Sequence, residues 1–221
     1  MRKRSHLIDA QDIQSSACIS DAGIKFSANT FKQGVLNMNE KSIVKAVKEL
    51  AKSERVLTQR VGERVYLCNG YWACYLPLAY YNMLVRPVSA RFPDLPDNQG
   101  SRHELRSYEP LPTVNSNCVK LDDLFEQRRS AMGKYEVDDT GFKKIMDKKG
   151  CANVLLCEGE MIFVDEKIAS SARAFCDNDD RHEFTDGKSH RNTPVYRLGN
   201  NFGYLMLPIR YDNEAYIVKA S

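Results

Sequence analysis

Residues 64–77 read "RVYLCNGYWACYLP", two apolar and aromatic runs interrupted once, by Asn69-Gly70. Such runs form a β-hairpin, because Gly accepts the positive φ of a tight turn and the flanking residues suit a half-buried strand. Tyr66, Tyr71, Trp72 and Tyr75 invite comparison with strands that stack nucleic-acid bases. The RNA-recognition-motif strand needs Lys or Arg before its Gly, then aromatics on one face. Here Asn69 precedes Gly70, and Tyr71 and Trp72 fall on opposite faces. The hairpin is therefore expected to be sheet core, packed on helices and on a neighbouring strand.

Outward from this hairpin the chain alternates helices and strands. Upstream, "NEKSIVKAVKELAK" places Ile43, Val47 and Leu50 at helical spacing, with Asn39 as N-cap. Residues 17–38 suggest short strands. "ERVLTQRV" adds a strand turning near Gly62, and "LAYYNMLVR" a short helix stopped by Pro87. From Phe92 to Thr113, four prolines lie among polar residues, as in a stiff connector or a sheet edge. Beyond it, "KLDDLFEQRRSAM" and "DDTGFKKIMDKKG" are expected to be helical, the second with Asp139 as N-cap and Gly150 just past its end. "ANVLLCEGEMIFV" forms a hairpin, "DEKIASSARAF" a helix, and residues 181–212 two or three strands turning at Gly199-Asn200.

Aligning Cys68 with Cys157 superimposes "VYLCNG" on "VLLCEG", each hairpin lying between two helices. One plan used twice gives an α+β fold of two domains, 13–100 and 116–221, joined by a connector at 101–115.

The chain has 221 residues, 43% hydrophobic and 28% charged, with net charge +3, values of an ordinary globular protein. No apolar run approaches the roughly 20 residues of a membrane span. "MRKRSHLIDA" lacks the apolar core of a secretory signal, and seven cysteines without a C-x-x-C pair fit reduced thiols, so a cytoplasmic protein is expected.

Catalytic and cofactor motifs fail on spacing. Gly187-Lys188-Ser189 has His182 where a phosphate loop needs Gly. Cys176, His182 and His190 match no zinc template, and Asp177, Asp179 and Asp180 lack the spaced ligands of a calcium loop. A cysteine nucleophile paired with His103, His182 or His190 has no residue pattern in its favour. The expectation is a non-enzyme with no cofactor and no metal.

The positive signal is cationic. At 100° per residue, Lys41, Lys45, Lys48 and Lys52 fall within about 60° of arc, opposite the apolar stripe. Glu49 lies off that row, and within the row only Lys45 has an opposite charge at i±4. In the expected helix 140–149, Phe142, Ile145 and Met146 face the core while Lys143, Lys144 and Lys148 face out. Lys167, Arg173 and Arg86 occupy the outer faces of the other helices. Basic faces on four helices of a nearly neutral chain suit the phosphates of double-stranded DNA, bound without base readout.

"TPVYRLGNNFGYLMLPIR" (193–210) resembles the closing hairpin of the DNA sliding clamps, the superfamily of the bacterial β clamp and proliferating cell nuclear antigen. The specific part is Tyr204-Leu205-Met206-Leu207-Pro208-Ile209-Arg210. The resemblance covers about residues 150–211, and residues 35–95 share only the element order. It implies two clamp-like domains, each with two helices on antiparallel sheet, the helices lining a hole for duplex DNA. It also implies a homotrimer, as a six-domain ring requires, and a processivity factor of a bacterium or mobile element that tethers a DNA polymerase or other replication protein. Partner peptides would dock at Leu205, Leu207, Pro208 and Ile209, although for Leu205 and Leu207 a core position is the simpler expectation. "YDNEAYIVKAS" continues beyond Arg210, where bacterial clamps stop, and the first half lacks a comparable closing motif. A second reading keeps the fold without the ring, as a regulator or inhibitor that binds another protein.

Overall fold

Helix α1 (Glu40–Ala51) buries Ile43, Ala46, Val47 and Leu50, the stripe its periodicity dictates. The computed structural model describes residues 40–96, 99–107, 113–114, 117–146, 150–176, 182–187, 193–209 and 217–219, all within one unit, Asn37–Ser221. Asn39 and the strands expected at 17–38 lie outside the described residues. After α1 come β1 (Arg55–Val61), β2 (Arg64–Cys68) and β3 (Trp72–Pro77), an antiparallel meander. Its second turn is built as expected: Asn69 Oδ1 accepts the N–H groups of Tyr71 and Trp72, and Gly70 has φ 88°.

A helical segment follows, α2 (Leu78–Tyr80), continued by a π turn (Tyr81–Val85) and a 3-10 turn (Arg86–Val88). The regular helix ends at Val85, two residues before Pro87, and only the short 3-10 turn runs past it. The polar, proline-containing stretch supplies sheet edge: β4 (Gln99–Arg106) pairs with β1, and β5 (Thr113–Val114) with β4. Helix α3 (Leu121–Glu126) precedes β6 (Glu136–Met146), β7 (Gly150–Cys157) and β8 (Glu160–Asp165). In α4 (Glu166–Ala172), the N-cap Asp165 accepts the N–H groups of Lys167 and Ile168. Strands β9 (Glu183–Phe184), β10 (Val195–Leu198), β11 (Gly203–Met206) and β12 (Ile217–Lys219) are the last of the described elements.

The helix expected at 140–149 is strand β6. Asp139 does accept a backbone N–H, but from Gly141, and Thr140 Oγ1 accepts that of Phe142. With Gly141 at φ 68° these contacts form a β-bulge, where the register against β7 shifts between Asp139 and Phe142. Beyond it, Lys144 and Met146 point inward, while Phe142 and Ile145 are exposed.

The fold is α+β, a multi-stranded antiparallel sheet with few helices. Hydrogen-bonded strands follow the order β5-β4-β1-β2-β3-β11-β10-β9-β6-β7-β8, and β12 pairs with β6. Outward from the β3–β11 pair, β2 and β1 on one side mirror β10 and β9 on the other, which describes a local two-fold. Helix α1 precedes β1, α4 precedes β9, and the two helices pack together. "EKSIVKA" (40–46) therefore corresponds to "EKIASSA" (166–172), with buried Ile43 and Ala46 matching Ala169 and Ala172. In this repeat β2 corresponds to β10, not to β7 as the Cys68–Cys157 alignment has it.

Both faces of the central strands β2, β3, β10 and β11 are covered. Trp72 meets Phe175, just after α4, with ring centroids 5.7 Å apart. On the opposite face Tyr66, Tyr75, Tyr196, Leu198 and Leu205 pack with Leu121 and Phe125 of α3. The Tyr75 and Phe125 rings meet edge to face at 5.1 Å, so the hairpin's buried aromatics are core.

Candidate nucleic-acid interface

On α1, Lys41, Lys45 and Lys48 are exposed opposite the buried stripe, as is Lys52 in the turn just after it. The row is not free of acid. Lys52 pairs with Glu49 at 2.6 Å, both side chains largely in solvent. That hydrogen bond is the main cause that holds the Glu49 carboxyl below its usual value; Lys167 and Lys45 add to it. No ion pair joins Lys41, Lys45 or Lys48 to a described residue. The same holds for the exposed Lys167 on α4. Between the two helices lies a cleft of about 650 Å³, with Lys45 and Glu49 on one wall, Lys167, Ser170 and Ser171 on the other, and Trp72 at its base.

The remaining expected cations are spent differently. Arg173 forms a fork with Glu183, at 2.8 and 2.7 Å, and donates to Asp139 at 2.8 Å. Burial acts to lower its pKa, but the hydrogen bond and charge of Glu183 outweigh this and raise it. Tyr204 donates its hydroxyl to the same Glu183. This network ties α4 to β9, β6 and β11. Lys143, on β6, pairs with Glu166 at 2.6 Å, which raises its pKa. Lys144 is buried, its ammonium 4.3 Å from the Phe163 ring centre, so it is not on a solvent face. A strand with inward Lys144 replaces the expected helix with outward lysines. Arg86 reaches Asp94 at 3.5 Å, and Lys148 lies outside the described residues. The fold thus gathers Lys41, Lys45, Lys48, Lys52 and Lys167 on one helix pair and disperses the others.

Of the residues expected to dock a partner, Leu205 is buried against the α3 cluster, whereas Leu207 is exposed and Pro208 and Ile209 are half-buried. The Leu207 N–H donates to the Tyr71 carbonyl at 2.9 Å and that of Ile209 to the Phe163 carbonyl at 2.7 Å. Sequence reasoning missed the exposure of Tyr71 at the hairpin tip and of the cross-strand neighbours Leu156 and Met161. It also missed Ser170 and Ser171 in the cleft, for which the echo of α1 in "EKIASSA" is the available signal.

Among the described residues, no group of three or more His, Cys, Asp or Glu side chains could hold a metal ion, and no disulfide joins the described cysteines. No described helix is long and apolar enough to cross a membrane.

No family model matches the sequence, and no curated protein does. Solved structures with some likeness include the DNA polymerase III beta chain of Streptococcus pneumoniae TIGR4, at 7% identity and TM-score 0.37, covering 80% of this chain and 65% of that one. A putative DNA polymerase III beta subunit of Eubacterium rectale has 10% identity and TM-score 0.33, covering 77% and 64%. The beta subunit from DNA polymerase of Streptococcus pyogenes has 10% identity and TM-score 0.31, covering 80% and 65%. This chain spans just under two thirds of the length of each.

Proposed function

We propose that this chain is a clamp-like protein that binds duplex DNA through backbone phosphates on the α1–α4 helix pair and has no catalytic role. The observation that carries the reading is the row of Lys41, Lys45 and Lys48, exposed and without ion pairs to described residues, joined by Lys167 from the neighbouring helix. Ammonium groups spaced along a rigid helix attract phosphates without selecting sequence. The closing motif 204–210 adds the sliding-clamp resemblance, and with it a place in DNA replication as a processivity factor that tethers a polymerase. Two clamp-like domains per chain enter this proposal in altered form. The segments that carry α1 and α4 share one sheet through β3 and β11, so together they supply one helix pair. Ring closure by self-association is part of the proposal; a six-domain ring needs a homotrimer if each chain holds two clamp-like domains and six copies if each supplies one helix pair. Docking of a replication protein at Leu207, Pro208 and Ile209 is proposed as well.

The test is binding of a 20-base-pair duplex, measured by fluorescence anisotropy across a salt series. Replacing Lys41, Lys45 and Lys48 with Ala should reduce the slope of log K against log salt by about 0.9 for each phosphate no longer neutralised. An unchanged slope removes the helix pair from the interface. Sedimentation at several concentrations tests the ring, and a monomer throughout refutes it. The exposed apolar side chains of Tyr71, Leu156, Met161 and Leu207 favour a second reading, a ring-free regulator that binds another protein.

A further inference from the structure

We propose that the cleft between α1 and α4 seats one backbone phosphate, gripped from opposite walls by Lys45 and Lys167. This rests on the duplex-binding reading of the helix pair and adds to it the point where the backbone is held from two sides. The charges in the cleft decide its occupant. Its two carboxylates are already engaged, Glu49 by Lys52 and Glu166 by Lys143, each at 2.6 Å. Lys45 and Lys167 remain as cations without an ion pair to a described residue, one on each wall. Both act on Glu49, so their fields overlap within the cleft.

A phosphodiester carries one negative charge on two non-bridging oxygens, and two ammonium groups on facing walls can take one oxygen each. The Ser170 and Ser171 hydroxyls line the same wall as Lys167 and can donate without adding charge. Lys41 and Lys48 lie on the open face of α1, where each meets a separate phosphate. The local two-fold also explains why the seat is single. Lys41 corresponds to Lys167 and Lys45 to Ser171, so the mirrored position would join Ser171 to Lys41 and hold only one cation.

Sharing one phosphate has a measurable signature. The K45A/K167A double variant removes two lysines but frees a single phosphate, so its salt slope should fall by about 0.9, against about 1.8 for K41A/K48A. In the double-mutant cycle, the second of the Lys45 and Lys167 replacements should cost less than the first. The S170A/S171A variant should bind roughly 3- to 10-fold more weakly with an unchanged slope, because only neutral donors are removed. Thermal melts of each variant confirm folding. If the unaltered protein fails to bind duplex at low salt, the duplex-binding function fails and the seat with it. If it binds, but K45A/K167A reduces the slope as much as K41A/K48A does, or not at all, the seat is refuted while duplex binding stands.

Discussion

Replacing Arg173 with Ala separates the two roles open to this residue, a phosphate contact or an internal tie. In the structure its guanidinium spans Glu183, at 2.7 and 2.8 Å, and Asp139 at 2.8 Å. The Glu183 side chain is 9% exposed and that of Arg173 29%. Removing one partner from a buried pair costs about 3–5 kcal/mol, because the remaining charge is stranded. The partial exposure of Arg173 and the exposed Asp139 contact scale this to about 2–4 kcal/mol. For a unit of this size each kcal/mol lowers Tm by about 2–4 °C, so the variant should melt roughly 5–15 °C lower. Replacing Arg173 with Met and Glu183 with Gln together should recover at least half of the loss, since no buried ion is left unpaired, the Asp139 carboxylate keeps its exposure to water, and Gln still accepts from Tyr204. Circular dichroism melts read the stability, and duplex anisotropy below the transition reads the interface. A variant with unchanged Tm and a shallower salt slope would overturn this reasoning and return Arg173 to the polyanion surface.

Other outcomes follow from particular contacts. Gly203→Ala would bring its Cβ within 2.6 Å of the Tyr75 hydroxyl, which is anchored on the Gly199 carbonyl, so overpacking should cost about 1–3 kcal/mol in denaturant titration. Arg91 donates to the carbonyls of Ala51, Ser53 and Leu105, fastening the end of α1 to β4, and Arg91→Ala should cost about 2–3 kcal/mol and speed amide exchange in the last turn of α1. Burial, reinforced by the charge of Glu183, pushes the Tyr204 pKa far above its ordinary 10.0, and burial does the same for Tyr81. Both raised groups stay neutral in the folded state while the unfolded chain ionises, so their stabilisation is complete below about pH 10 and is lost at higher pH, at about 1.4 kcal/mol per pH unit for each. Tyr204→Phe should flatten that decline; an unchanged alkaline slope contradicts the assignment.

Much of the fold is legible where one physical signal dominates. Helix α1 has a clean apolar stripe, and the hairpins at Asn69-Gly70 and Glu158-Gly159 pair strand-forming runs with turn residues. Segment 136–146 misleads because Phe142, Ile145 and Met146 recur at i, i+3 and i+4, which is helical spacing. The bulge at Thr140-Gly141 resets the alternation, and a long lysine stem can pack along Phe163, so inward Lys144 produces no polar break that periodicity could register. The lysine row is visible in the sequence, whereas its partners are not. Glu166 meets Lys143 only because β6 passes beside the start of α4, a tertiary fact. The hairpins echo one another because strand composition is so often alike, whereas the repeat that the fold uses lies in the Glu-Lys openings of α1 and α4.

The pairing of β3 with β11 bears on how the chain acquires its structure. The bond from the Tyr75 hydroxyl to the Gly199 carbonyl joins positions 124 residues apart. Local hairpins form quickly, but this central seam requires closure of a very long loop before its contacts give any return. Neither the segment with α1 nor that with α4 can cover its innermost strand alone. A ribosome-bound nascent chain that has emerged only through β8 therefore carries an uncapped β3, and the two segments become stable in one late, concerted step.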